Sequence, residues 1–166
     1  MTRIGLISDT HNYLDESVFH HFANCDEIWH AGDFGNLEVS DTLANLKPLR
    51  GVYGNIDGQE IRIIHPKVNR FKVAGLEVLM THIGGYPGKY HPDIRNEINQ
   101  NPPGLFITGH SHILKVMPDK KLHLLHLNPG AAGKHGFHMV RTMLKFEINA
   151  GKIENLQVVE LGKRAG

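Results

Sequence analysis

The chain has 166 residues, with 18 Lys plus Arg against 17 Asp plus Glu and a single cysteine, Cys25, so its charge balance favours neither an extended nucleic-acid surface nor a membrane face and excludes an intrachain disulfide. A chain of this length is expected to form one domain, residues 1–166, burying roughly 70% of its unfolded surface, which is enough for a core without staples. With no apolar run near the roughly 20 residues a membrane helix needs and no charged and apolar leader before the first apolar run, we expect a cytoplasmic protein without a membrane partner.

Residues 2–7 read as a buried strand, followed by a helix over about 14–23 in which Leu14, Val18, Phe19 and Phe22 recur at helical spacing. The strand ends on Ser8-Asp9-Thr10-His11. In extended chain, side chains at i and i+2 point the same way, so Asp9 and His11 are expected to close on one ion beyond the strand's carboxyl end, where open α/β sheets place their ligands. Glu27 to Ala31 forms a second short strand running into Gly32-Asp33, and a helix is predicted over about 36–46. A third strand, about 48–53, stops at Gly54-Asn55-Ile56-Asp57-Gly58, where we read Asp57 as a loop cap. Residues 68–74 and 76–81 look like a hairpin that ends on His82. The stretch 83–103, rich in Gly, Pro and polar residues with one helix at about 92–100, reads as a lid or insertion, and its Tyr86 and Lys89 are candidate substrate-binding residues, a ring to stack on a base and a cation to meet phosphate. A strand at 105–108 leads into Gly109-His110-Ser111-His112, and further strands are predicted at 113–117, 122–127, 137–148 and 153–160.

Strand and helix alternate in the first half, which implies parallel pairing with helical crossovers, whereas the second half is strand-rich and hairpin-linked. Both halves are satisfied by an α/β fold of two stacked mixed sheets with helices outside, whose loops at one rim gather Asp9, His11, Asp33, Asn55, His82, His110 and His112. Thirteen histidines placed at random would rarely finish five strand ends with a metal-competent side chain. Two divalent ions held about 3.5 to 4 Å apart need an anionic bridge and open positions for water and substrate. Asp33 suits the bridge, since a carboxylate has two oxygens. His30 is either a buried satisfied histidine or a group that orients a ligand, and His135 and His138 read as structural or solvated, with a place facing the rim as the alternative. His20, His21, His65, His123 and His126 read as structural or solvated, and Cys25 as a small buried hydrophobe.

Asp9-x-His11, Gly32-Asp33, Gly54-Asn55, His82 and Gly109-His110-x-His112, in that order, resemble the calcineurin-like metallophosphoesterases, most closely their small bacterial and archaeal phosphodiesterase branch, and Asn128-Pro129-Gly130 looks like that branch's closing loop. The resemblance spans residues 1 to about 135 and implies a four-layer α/β/β/α sandwich with a binuclear centre. By analogy one ion takes Asp9, His11, Asp33 and His112, and the other takes Asp33, Asn55, His82 and His110. Imidazole, carboxylate and amide donors suit manganese first, and nickel, iron or zinc, better than magnesium or calcium. The implied reaction is in-line attack of a metal-bridging hydroxide on a small phosphodiester, with Asn55 and His110 as catalytic residues that also fix a phosphate oxygen. One departure matters: many relatives follow Gly-Asn with a histidine able to protonate the leaving group, and here that position is Ile56. This favours a phosphodiesterase over a phosphomonoesterase. The rival from another class is a protein-binding scaffold of the same fold, as in one eukaryotic retromer subunit similar to this family. A homo-oligomer is left open.

Overall fold

In the computed structural model, which describes residues 1–165, strands β1 (Thr2–Ile7), β2 (Glu27–His30) and β3 (Leu49–Gly51) run parallel. β11 (Val140–Asn149) pairs antiparallel with β1 and β12 (Lys152–Lys163) antiparallel with β11 at the edge, giving the order β12-β11-β1-β2-β3. The second sheet has the order β4-β5-β8-β10-β9, from β4 (Val68–Val73), β5 (Leu76–Thr81), β8 (Leu105–Ile107), β9 (Lys115–Asp119) and β10 (Leu124–Asn128). Its three central strands β5, β8 and β10 are parallel to one another. Helices α1 (Ser17–Phe22) and α2 (Leu37–Leu46) are the first sheet's crossovers, α3 (Gln59–Ile64) lies in the link from β3 to the second sheet, and α4 (Pro92–Gln100) belongs to the second sheet's crossover from β5 to β8.

The period of two along each central strand decides which layer a side chain enters. Ile4 and Leu6 from β1, Val78 and Met80 from β5, and Leu105 and Ile107 from β8 meet between the sheets around Trp29, Phe146 and Leu127. The alternate positions point outward: Ile7 and Ile28 pack with Val18, Phe22, Leu43 and Ile61 of α1, α2 and α3. Likewise Leu79 and Phe106 pack with Ile94 and Ile98 of α4. Helix, sheet, sheet and helix thus stack in the expected four layers. Helix α2 starts on Asn36, whose side chain accepts from the Val39 N–H, one of the otherwise unpaired first-turn donors.

Two segments differ from the sequence reading. Residues 59–64 form α3 rather than loop, and α1 is confined to Ser17–Phe22. The stretch read as a lid or insertion is an anchored insertion: the expected helix is α4, which buries Ile94 and Ile98, while β6 (Gly85–Tyr86) and β7 (Lys89–Tyr90) add a small hairpin and Tyr90 is buried and donates from its hydroxyl to Asp119 Oδ2 at 2.7 Å. Those apolar anchors outweigh the loop-like composition around them. Among the described residues, no helix is long and apolar enough to cross a membrane.

Candidate metal centre

Every one of the seven side chains gathered by sequence follows a parallel strand, and the structure brings them to one rim. Asp9 follows β1, Asp33 follows β2, Asn55 follows β3, His82 follows β5, and His110 and His112 follow β8. The convergence does not come from strand alternation. Asp9 (φ 54°), His11 (φ 44°), Asp33 (φ 60°), His110 (φ 70°) and His112 (φ 62°) are all in the left-handed region, so Asp9 and His11 are aimed by two successive kinks instead of by the i, i+2 rule. Such conformations cost on the order of 1 to 3 kcal/mol each and persist only where surrounding bonds over-determine them. Here they do: the backbone N–H of Asp9 donates to Gly32 O at 3.0 Å, that of His11 to Asp33 O at 3.1 Å, and that of Gly109 to His82 O at 3.0 Å.

Each carboxylate has one oxygen held by the protein and one left for the centre. Asp9 Oδ2 accepts from Ser8 Oγ at 2.6 Å and from the His110 N–H at 3.1 Å, while buried Oδ1 has no hydrogen-bond partner among the described residues. Asp33 Oδ1 accepts from the Ile56 N–H at 3.0 Å. Its Oδ2 lies 3.4 Å from His11 Nε2 and 3.2 Å from His82 Nε2. Asp9 Oδ1 lies 3.2 Å from His112 Nε2 and 3.9 Å from His11 Nε2. Asn55 Oδ1 is 3.1 Å from His82 Nε2 and 3.0 Å from His110 Nδ1. Two triads result, Asp9-His11-His112 and Asp33-His82-His110, each with ligand atoms within 4.8 Å of one another.

The tautomers agree with ligation. His82 Nδ1 lies 2.7 Å from Ala31 O, a bond only a protonated Nδ1 can donate, which leaves the Nε2 lone pair facing Asp33 when the ring is neutral. Burial alone would lower the His82 pKa, but the Asp33 hydrogen bond and the charges of Asp9 and Asp33 outweigh it and raise the value. Burial likewise raises Asp33, yet the bonds from His11 and His82 and the His82 charge prevail and hold its carboxyl well below the usual range. Burial and the neighbouring His82 lower His110. A buried pair of anionic carboxylates ringed by imidazoles is a field that selects cations.

Several residues outside the seven support them. Asp57, read from sequence as a cap, accepts from the N–H groups of Asp33, Phe34, Gly35 and Gly54. His30 is fully buried; its Nδ1 accepts from the Gly32 N–H at 3.0 Å and its Nε2 meets Thr10 Oγ1 at 3.1 Å, so it braces both Asp loops. Asn128 donates to Gly109 O at 3.0 Å, fixing the His110 turn. His135 stacks on His11 with ring centroids 4.7 Å apart, and His138 meets His112 edge-on at 5.2 Å. Both line an open cleft of about 530 Å³ with Ile56, His110 and Phe137. The sequence reading favoured a structural or solvated place for these two histidines, because the ring contacts that bring them to the rim are tertiary.

Tyr86 and Lys89 line another cleft, of about 470 Å³, together with His110 and Asn128. One face of the Tyr86 ring is taken by Lys115, whose Nζ is 3.4 Å from the centroid.

Residues 2–151 match the calcineurin-like phosphoesterase superfamily domain. The chain belongs to that superfamily. It is 30% identical over 135 residues to a probable metallophosphoesterase of Methanothermobacter thermautotrophicus, which covers 77% of this chain and 76% of the relative. Among solved structures, Vps29 of Chaetomium thermophilum aligns with a TM-score of 0.75 at 15% identity over 98% of this chain and 100% of that one. An archaeal phosphodiesterase aligns with a TM-score of 0.71 at 21% identity, over 95% and 99% of the two chains. At those identities the two structures are evidence of fold. Calcineurin-like domains imply divalent metal ions, and the donors present fit them: two carboxylates with a free inward oxygen, an amide oxygen and four imidazoles, with an orphaned buried atom on each of Asp9 and His11.

Proposed function

We propose that this calcineurin-like protein is a metal-dependent phosphodiesterase. Asp9, His11, Asp33 and His112 would hold one ion and Asp33, Asn55, His82 and His110 the other. The observation that carries the reading is Asp33 Oδ2, set between His11 Nε2 at 3.4 Å and His82 Nε2 at 3.2 Å, the position of a bridging ligand. Manganese is the ion the mixed imidazole and oxygen donors suit first, with nickel, iron or zinc next. When bound, such a pair supplies positive charge for phosphoryl oxygens and lowers the pKa of water from 15.7 toward about 7.

The chain's own residues decide the rest. His110 lines both clefts and Asn55 lines the one shared with Ile56, so their side chains can hold a phosphoryl oxygen while the two ester arms occupy different clefts, a use that a monoester, with one arm, does not make. Tyr86 and Lys89 would receive one arm, the free face of the ring against a base and the ammonium against a phosphate. Ile56, 46% exposed at the rim, offers no proton to a departing oxygen. General-acid help is worth about 10² to 10⁴ in rate, so esters with acidic leaving groups are favoured. The substrate class is a small phosphodiester.

The test is turnover of bis(p-nitrophenyl) phosphate and of p-nitrophenyl phosphate by purified protein, alongside metal content and chelation. Expected are two ions per chain, preference for the diester, loss of activity with chelator and its return on adding Mn²⁺. Asp33→Asn should lose roughly 100-fold or more with the fold intact by circular dichroism. Undiminished activity in that variant, or in the chelated protein, overturns the reading.

A binding scaffold is the second reading. It is favoured by apolar side chains exposed around the same rim, Phe137 (100%), Met139 (83%) and Ile113 (56%), a surface a protein partner would cover. Two tightly held ions with turnover of neither ester would select it.

A further inference from the structure

A third cleft reaches the centre from the side of β3 and α3. It encloses about 350 Å³, reaches Asn55 and His82 at one end, and is walled by Tyr53, Val68 and Ile94. Its distinctive feature is Arg62, on α3. The guanidinium carbon sits 4.4 Å from the Tyr53 ring centroid and Nε donates to the Asp57 carbonyl at 2.7 Å. Ring and carbonyl fix the plane of the fork, so the entropy normally lost when a long side chain grips a ligand is already lost.

Arg3, Arg50, Arg70 and Arg141 each meet a carboxylate. Arg62, like Arg95 and Arg164, forms no ion pair among the described residues, and its Nη groups make no hydrogen bond there; of these three it is the one that lines this cleft. Lys67 lines the same cleft, and its one ion pair among the described residues is with Asp93, at 3.9 Å with both side chains about two-thirds exposed (63% and 66%). A pair that loose and solvated holds weakly, leaving Lys67 free to turn inward. Arg62, Lys67 and Asp93 together leave one net positive charge in a cleft that shares His82 with the Asp33-His82-His110 triad.

We propose that this cleft is a subsite for a second phosphoryl group on the substrate. The arm of the diester lying past Asn55 and His82 ends in a phosphate gripped by Arg62, with Lys67 as the outer cation, and the apolar wall covers the organic spacer between the two phosphates. A planar fork presenting paired N–H groups matches phosphate oxygens two at a time. The substrate class narrows to diesters with a terminal phosphate one nucleoside-sized unit away, such as a 5′-phosphorylated dinucleotide. This inference rests on the phosphodiesterase reading.

The test uses the full chain loaded with Mn²⁺ and two substrates that differ by one phosphate, thymidylyl-thymidine (TpT) and its 5′-phosphorylated form (pTpT), with bis(p-nitrophenyl) phosphate in parallel. The expected ratio of kcat/KM, pTpT over TpT, is about 10 or more, carried by KM, as one charge-assisted contact gives. In the double variant Arg62→Gln, Lys67→Gln the ratio should fall to within about twofold of one. Because both substrates meet the same sample, partial unfolding or metal loss cancels in the ratio. A wild-type ratio near one, or a ratio that survives both substitutions, overturns the subsite while leaving the diesterase intact. Failure of the metal-loaded wild type to cleave any of the three diesters overturns the function itself, and the subsite with it.

Discussion

At the scale of single residues, Asp57 shows how much of the site depends on a side chain that supplies no ligand atom itself. Its Oδ2 accepts from the N–H groups of Asp33 at 2.9 Å, Phe34 at 3.2 Å and Gly54 at 2.8 Å, and its Oδ1 from Gly35 at 2.9 Å. One buried carboxylate therefore ties the loop carrying Asp33 to the loop carrying Asn55. Asp57→Ala strands four donors, and leaving even one buried donor unpaired costs about 1 to 3 kcal/mol. We expect a variant with a lower melting temperature and an affinity for the ion held by Asp33 and Asn55 weakened about 10- to 100-fold. Asp57→Asn, which keeps one acceptor oxygen, should fall between. Wild-type metal affinity in Asp57→Ala would show that the loop holds its shape without the carboxylate. The sequence did mark Asp57 as a cap, from the Gly54-Asn55-Ile56-Asp57-Gly58 run, because a carboxylate bonding to nearby N–H groups is a local habit of such loops. Its reach to Asp33, 24 residues away, is tertiary and leaves no local pattern. His30 is the same case, its choice between core and bracing role resting on Thr10, which only the fold brings near.

At the scale of elements, strand ends were legible and the turns after them were not. Alternating or continuous apolar runs placed β1, β2, β4, β5 and β8 close to their observed limits, and helix α2 followed from the spacing of Leu37, Leu43 and Leu46. The short α3 escaped, since six residues hold little more than one turn of periodicity. The left-handed turns escaped for a different reason: Asp, Asn and His tolerate positive φ better than most residues, but the bonds that enforce it come from other strands. Gly54 exposes the tightness of these turns. A methyl group there would overlap the backbone N and Oδ1 of Asp33, so Gly54→Ala must push the two loops apart. Gly58, four residues on, has open space where a methyl group would go and extended backbone (φ −87°). Gly54→Ala is expected to lose one of two ions and roughly 100-fold in diester turnover, measured by metal analysis and kinetics, while Gly58→Ala stays within about twofold of the wild type. Equal behaviour of the two variants would refute the claim that loop contact sets the geometry.

At the scale of the whole molecule, histidines used as core residues make the fold sensitive to acid independently of metal. His126 is fully buried on β10, with Nδ1 donating to Phe106 O at 3.0 Å. Burial outweighs that bond and pushes its pKa from 6.5 down to about 4. Burial lowers His30 well below its ordinary value and lowers His65, which stacks on Phe34 and bonds Ser40. A histidine with a depressed folded-state pKa stays neutral in the folded chain at pH values where the unfolded chain already takes up the proton. The unfolded state then binds more protons, so stability rises with pH. The contribution of His126 is complete above pH 6.5 and is lost as the pH falls from 6.5 to about 4. Over that window it amounts to roughly 3 kcal/mol, a large part of the 5 to 15 kcal/mol typical of a domain. The depressed Asp33 acts in the same sense but at lower pH, where ordinary carboxylates titrate. Urea unfolding between pH 7.5 and 4.5 in the presence of chelator separates the two. His126→Leu leaves Phe106 O without its donor and should be less stable at pH 7.5, yet its stability should decline less steeply below pH 6.5, converging on the wild type as the pH approaches 4.5. Parallel pH profiles for the two proteins would mean that His126 takes up its proton without unfolding, and that the second sheet tolerates a charge in its outer layer.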